Sequence, residues 1–242
     1  MKLDILAIAV HPDDVELGCA GTLMIHAKQG MKVGVVDLTR GELGTRGTPE
    51  LREQEALAAA KIMGLEVREN LGLADGFFRN DTMEQMAIIT AIRKFRPDIV
   101  LANAMDDRHP DHGRAGKLIA DSCFLAGLRK VETSVDGQAQ EAWRPKQVFH
   151  FLQDRYHEPD FVVDITAVME QKLEAIRTFS SQFLAPKDNE PQTYISGSGF
   201  FDSVIYRAKM LGKMVGVEYA EGYTSAKMIG IRNLADLISE TT

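Results

Sequence analysis

The chain is poor in cysteine and carries no excess of positive charge. Its 242 residues include two cysteines, Cys19 and Cys123, too few for a disulfide framework. Both fall in helix-like patterns, which suits small buried hydrophobes in a reducing cytoplasm. Lysine and arginine number 28 against 35 acidic residues, a net charge of -7. That balance argues against nucleic acid as a partner, which calls for a basic face. No run approaches the ~18–20 apolar residues of a transmembrane helix. Met1-Lys2-Leu3-Asp4 leads into a strand with no cleavage pattern, so neither a signal peptide nor a membrane partner is expected. Also missing is a Gly-x-Gly-x-x-Gly fingerprint after the first strand, which counts against dinucleotide binding. There is no internal repeat and no low-complexity segment.

What is present is a regular alternation of strand and helix patterns. Leu3 to Val10 is an apolar run broken only by Asp4, as expected of a strand covered on both faces. A helix is predicted over Val15–Gln29, ended by Gly30. Lys32–Leu38 reads as a second strand, followed by a polar, glycine-rich loop. Thr48 and Pro49 open a helix to Met63 as N-cap and first helical residue. Val67–Leu71, Asp98–Ala102 and Gln147–Leu152 read as further strands, with helices over Asp81–Phe95 and Asp111–Leu128.

This alternation predicts an α/β, Rossmann-like fold: a mostly parallel sheet of order 3-2-1-4-5 or similar, with helices on both faces. The last third is less regular. It offers a strand at Phe161–Ile165, helices over Thr166–Ser180 and Phe200–Met214, and a Pro/Asn/Gly-rich stretch from 186 to 199. With no linker before it, residues 153–242 are expected to elaborate the 1–152 core within one domain, 1–242.

Two clusters carry the chemistry: His11-Pro12-Asp13-Asp14 and His109-Pro110-Asp111-His112. Each follows an apolar strand, the first and the fourth. In the expected sheet order those strands are neighbours at the point where the chain reverses its direction of growth, where such folds bind ligands. Imidazole and carboxylate ligands suit a divalent metal, with a spare carboxylate for proton transfer. His11 and Asp14 are three residues apart across a turn, as are His109 and His112. A catalytic zinc usually keeps three protein ligands, so three of the six candidates should serve otherwise. Glu16 fits the first turn of a helix better than a ligand role. His26, His150 and His157 stand alone and read as structural or surface residues.

Ala9-Val10-His11-Pro12-Asp13-Asp14-Val15-Glu16, paired with His109-Pro110-Asp111-His112, resembles the LmbE-like (PIG-L) family of zinc-dependent N-acetylglucosamine deacetylases. The stretch from Thr39 to Glu50, then Arg52 and Glu55-Ala56, is similar to the bacillithiol-pathway branch, which deacetylates N-acetylglucosaminyl-malate. The resemblance implies one Zn2+ on His11, Asp14 and His112, with Asp13 as general base. It places His109 beside the substrate carbonyl, oriented by Asp111. It implies a tyrosine at the oxyanion, for which Tyr194 is the candidate, and a homo-oligomer. A two-His, one-carboxylate set also suits Fe2+.

The loop after the second strand offers Arg40, Arg46 and Arg52, and three guanidinium groups suit an anionic GlcNAc conjugate. For Arg52 an i,i+3 pair with Glu55 on its own helix competes with that role. The preferred substrate is the malate conjugate. Alternatives are chitobiose-like sugars, an amide of a thiol conjugate, or a non-catalytic metal- or sugar-binding module. The intact Asp13 counts against the last of these.

Overall fold

The computed structural model describes residues 1–183, 191–231 and 233–234. Seven residues of the Pro/Asn/Gly-rich stretch and its lead-in, 184–190, lie outside these. In chain order, β1 (Ile5–Ala9) leads to α1 (Asp14–Gly18) and α2 (Ala20–Lys28). Then come β2 (Val33–Thr39), α3 (Pro49–Met63), β3 (Val67–Leu73), α4 (Thr82–Phe95), β4 (Ile99–Ala102) and α5 (Pro110–Ala126). A small hairpin, β5 (Ser134–Val135) and β6 (Gln138–Ala139), precedes β7 (Gln147–Phe151) and β8 (Phe161–Asp164). The last elements are α6 (Met169–Arg177), α7 (Ser180–Phe183), α8 (Ser198–Val215) and β9 (Ala220–Thr224).

The main sheet has the order β3-β2-β1-β4-β7-β9-β8. Its first five strands are parallel and reproduce the expected 3-2-1-4-5 arrangement, with β7 in fifth place. The sheet then continues: β9 runs antiparallel to both β7 and β8. Strand β9 was not read from sequence. Its Ala-Glu-Gly-Tyr-Thr pattern is short, holds a glycine and places a glutamate inside.

Strand β1 shows why the centre is covered on both sides. Ile5, Ala7 and Ala9 join one apolar core with α1, α2, α3, α6 and α8, while Leu6, Ile8 and Val10 join a second with α4 and α5. The period-two alternation of a strand sends successive side chains into opposite layers.

The first helix is broken where a single one was expected. Cys19 leaves helical geometry at φ -147°, and α1 ends after one turn. Gly18 lies so close to β7 that a Cβ there would come within 2.2 Å of the Phe151 ring. The break lets the chain leave the His11–Asp14 turn and pack at once under the sheet. Both cysteines are buried and free. Among the described residues, no helix is long and apolar enough to cross a membrane.

Candidate active site

Strands β1 and β4 end side by side, and their exits are stitched together. Asn103, just past β4, accepts from the Val10 backbone N–H at 3.0 Å and donates to Asp14 at 3.2 Å. Gln153, just past β7, donates to the other Asp14 oxygen at 2.7 Å. The two clusters, about a hundred residues apart in sequence, thus line one cleft of about 370 Å³.

Asp14 lies between two imidazoles. Its carboxylate is 3.6 Å from His11 Nδ1 and 3.1 Å from His112 Nε2. Each histidine is held from its other nitrogen by a further carboxylate: His11 Nε2 by Asp75 at 3.0 Å, His112 Nδ1 by Asp107 at 2.6 Å. Such outer partners fix the ring orientation of metal-ligating histidines. Burial disfavours charge on both rings, yet the surrounding carboxylates outweigh it, taking His11 to about 10 and His112 to about 9. The pocket is thus built to hold positive charge between these side chains, and a divalent cation on His11, Asp14 and His112 fits the donor set. His109 completes a tri-imidazole group with His11 and His112.

Asp13 is buried beside this centre, with φ 142° and ψ -22°, a backbone conformation rare for any residue with a Cβ. Arg52 Nη2 donates to its carboxylate at 2.6 Å and to the Pro12 carbonyl at 3.0 Å. Burial raises the Asp13 pKa, Arg52 opposes that rise, and the outcome is about 7.

His109 is the N-cap of α5, and its Nδ1 accepts from the Asp111 backbone N–H at 3.3 Å. Its ring packs near those of His11 and His112, with centroids at 4.9 and 5.1 Å. One expectation changes here. The Asp111 carboxylate does not orient His109; it accepts from Gly76 N–H and Arg114 and lies 4.0 Å from His11 Nε2. Burial and the neighbouring His11 and His112 lower the His109 pKa, which favours the neutral ring. Its Nδ1 acts as an acceptor, so the neutral ring carries its proton on Nε2.

The three loop arginines separate. Arg40 does not line this cleft; it stands 45% exposed, paired with Glu50 and Glu53 beside a different hollow. Arg46 is buried, with Nη1 3.5 Å from the Gln182 carbonyl. Arg52 borders the cleft but is engaged with Asp13, while Glu55 takes Ser180 and Ser181 instead of Arg52. Tyr194 lines the cleft at 60% exposure, and its hydroxyl donates to Asp154 at 3.2 Å. Glu16 does fall in α1, but it is fully buried and joins Asp37 on Arg68. His26, His150 and His157 each contact a backbone carbonyl.

Sequence reasoning missed Asp75, Asn103, Asp107 and Gln153. Three of them follow β3, β4 and β7 within two residues, so position alone could have flagged them. Asp107 precedes the second cluster by two residues.

Comparison with known proteins places this geometry. The family model of PIG-L, described as GlcNAc-PI de-N-acetylase, matches residues 6–123. The diacetylchitobiose deacetylase of Thermococcus kodakarensis is 33% identical over 236 residues, 90% of this chain and 81% of that protein. A probable N-acetyl-alpha-D-glucosaminyl L-malate deacetylase 2 of Bacillus subtilis is 28% identical, covering 75% of this chain and 84% of that one. The crystal structure of the conserved protein TT1542 from Thermus thermophilus superposes with a TM-score of 0.84 at 36% identity, covering 95% of this chain and 97% of that one. The chain belongs to the PIG-L, or LmbE-like, family.

Proposed function

We propose that the protein is a metal-dependent N-deacetylase of GlcNAc-type substrates, with zinc the first candidate ion and Fe2+ the second. The observation that carries this reading is the meeting of Asp14 with His11 and His112, next to an Asp13 held by Arg52. His11, Asp14 and His112 would hold the ion. When bound, it supplies Lewis acidity and a bound water acidified towards neutral pH.

The chain's own residues account for the proton traffic. Asp13, poised near neutrality, takes a proton from the attacking water as its oxygen bonds to the acetamide carbon. His109 donates from Nε2 to the carbonyl oxygen as negative charge develops there. A donor of this kind is worth ~3–4 kcal/mol in other hydrolases. As the carbon–nitrogen bond breaks, Asp13 returns its proton to the departing nitrogen. A free amine and acetic acid result, the acid ionising to acetate as its proton passes to solvent, and Asp13 is again a carboxylate. Asp111 supports this indirectly, through the backbone N–H that sets the His109 tautomer. Tyr194 stands at the rim, where it would contact the sugar or its aglycone.

Among substrates we place N-acetylglucosaminyl-malate first and diacetylchitobiose second. Arg52 and Arg108 border the cleft paired with Asp13 and Asp154, while Arg207 borders it without a hydrogen-bond partner among the described residues, which favours an anionic conjugate. The test is amine release from both compounds by the purified protein, before and after a chelator and with zinc or iron restored. Metal-dependent release from either supports deacetylation, and a higher kcat/KM on the malate conjugate supports the finer reading. Release unaffected by the chelator sinks the metal mechanism.

A further inference from the structure

Arg207, on α8, lines the same cleft as His11, Asp14 and His112, and it is half-buried. Other arginines held in the interior are matched by acceptors. Arg52 holds Asp13, Arg68 holds Asp37 and Glu16, and Arg93 donates to three carbonyls and the Thr133 hydroxyl. Arg207 makes no hydrogen bond or ion pair with any described residue. The acids nearest in effect are already engaged: Asp154 by Arg108 and Tyr194, Asp107 by His112, and Glu221 by Lys172 and Thr22. A guanidinium partly withdrawn from water without an acceptor is unfavourable, and burial lowers its pKa. The arrangement makes sense if the missing acceptor arrives with the ligand.

From this placement we infer that Arg207 is the specificity residue of the cleft, reading an oxyanion, a carboxylate or phosphate, on the substrate's aglycone. The inference deepens the deacetylase reading by assigning the class of aglycone. A planar guanidinium matches such a group with two parallel N–H donors, which an ammonium cannot do. The residue lies outside both histidine–aspartate clusters. It comes from the C-terminal third, so substrate choice and chemistry are carried by separate parts of the chain. The arginine-rich loop after β2, which carried the anion expectation from sequence, would then serve mainly to hold Asp13 and its own fold.

The test uses the full-length, metal-loaded protein, with Arg207→Gln and Arg207→Lys as variants and thermal melts to check that each folds. Two GlcNAc glycosides are compared, alike except that one aglycone bears a free carboxylate and the other its neutral amide. Arg207→Gln should raise KM for the carboxylate glycoside about tenfold or more, while leaving kcat and the amide's KM within about twofold. Arg207→Lys should recover only part of the loss. Equal changes on both glycosides, or none on either, overturn the inference. Calorimetric titration with sodium L-malate and with inorganic phosphate gives a readout independent of turnover and separates the two oxyanions. If neither glycoside is hydrolysed, the deacetylase reading fails and titration alone judges Arg207. Binding of either anion that is lost in Arg207→Gln sustains the assignment; unchanged binding, or none in the wild type, overturns it.

Discussion

Arg52 Nη2 and the Asp13 carboxylate meet at 2.6 Å, with the same nitrogen 3.0 Å from the Pro12 carbonyl. One guanidinium therefore fixes both the side chain and the preceding peptide of the residue placed as general base. It also opposes burial, which raises the Asp13 pKa. The base works only as a carboxylate, so activity should rise with pH through its pKa. Removing the Arg52 cation removes an influence that lowers that pKa. Arg52→Gln should thus shift the acid limb of the kcat profile to higher pH and cut kcat by about 10²-fold, the scale of general-base catalysis. A kcat–pH profile checks this; an unmoved limb separates Arg52 from the base.

Asp107 and Asp75 make no contact with substrate in this scheme, yet they should govern metal affinity. Each accepts from the histidine nitrogen turned away from Asp14. Asp107→Asn and Asp75→Asn should each weaken metal binding by about 10–100-fold. Competition with a metallochromic chelator measures this directly. Asp13→Asn, by contrast, should keep the metal and lose turnover.

Arg40 should be dispensable. It is exposed, paired with Glu50 and Glu53, and stands outside the cleft. Arg40→Ala should leave KM for the malate conjugate within about twofold and change stability by less than ~1 kcal/mol, as for other surface ion pairs. A tenfold rise in KM would return the loop to anion binding.

The C-terminal strand is tied in by a buried charge. Glu221 of β9 accepts from the Gly21 and Thr22 backbone N–H groups at the start of α2, and from Lys172 of α6 at 2.6 Å. Lys172 also donates to the Leu17 carbonyl at 3.0 Å. Glu221→Ala leaves two amides buried without a partner and Lys172 buried without a counter-charge, and should cost about 3–5 kcal/mol. A Glu221→Leu, Lys172→Met double variant should be less destabilised than the sum of its single changes. Urea unfolding of the four proteins of this cycle measures the coupling.

The core half of the fold was legible because its signals are local. Leu3–Val10 and Lys32–Leu38 are apolar in the way that strands covered on both faces must be, and Thr48-Pro49 marks the start of α3. The C-terminal half was less legible because β9 gains its place from partners, not from its own pattern. Glu221 reads as a surface residue until Lys172 and the α2 amides surround it. The sequence break at Cys19 was hidden for a similar reason: the helical spacing of Leu17, Ala20 and Leu23 continues across it, while contact with Phe151 of β7 accompanies the turn.

At the site, the amino-acid order sufficed to pair the two histidine–aspartate clusters, since strand order in an α/β sheet follows from chain rhythm and the crossover rule. It also supplied the family resemblance, which comparison bears out. Tertiary structure alone decided which groups face which. Arg52, three residues before Glu55 on α3, turns instead to Asp13; Asp111, beside His109 in sequence, sends its carboxylate to Gly76 and Arg114. It also brought in Asp75, Asn103, Gln153 and Arg207 from four separate stretches of chain. Sequence spacing constrains how far apart two residues can be. Where a side chain points, and whether its charge is matched, depends on neighbours that only the folded chain brings near.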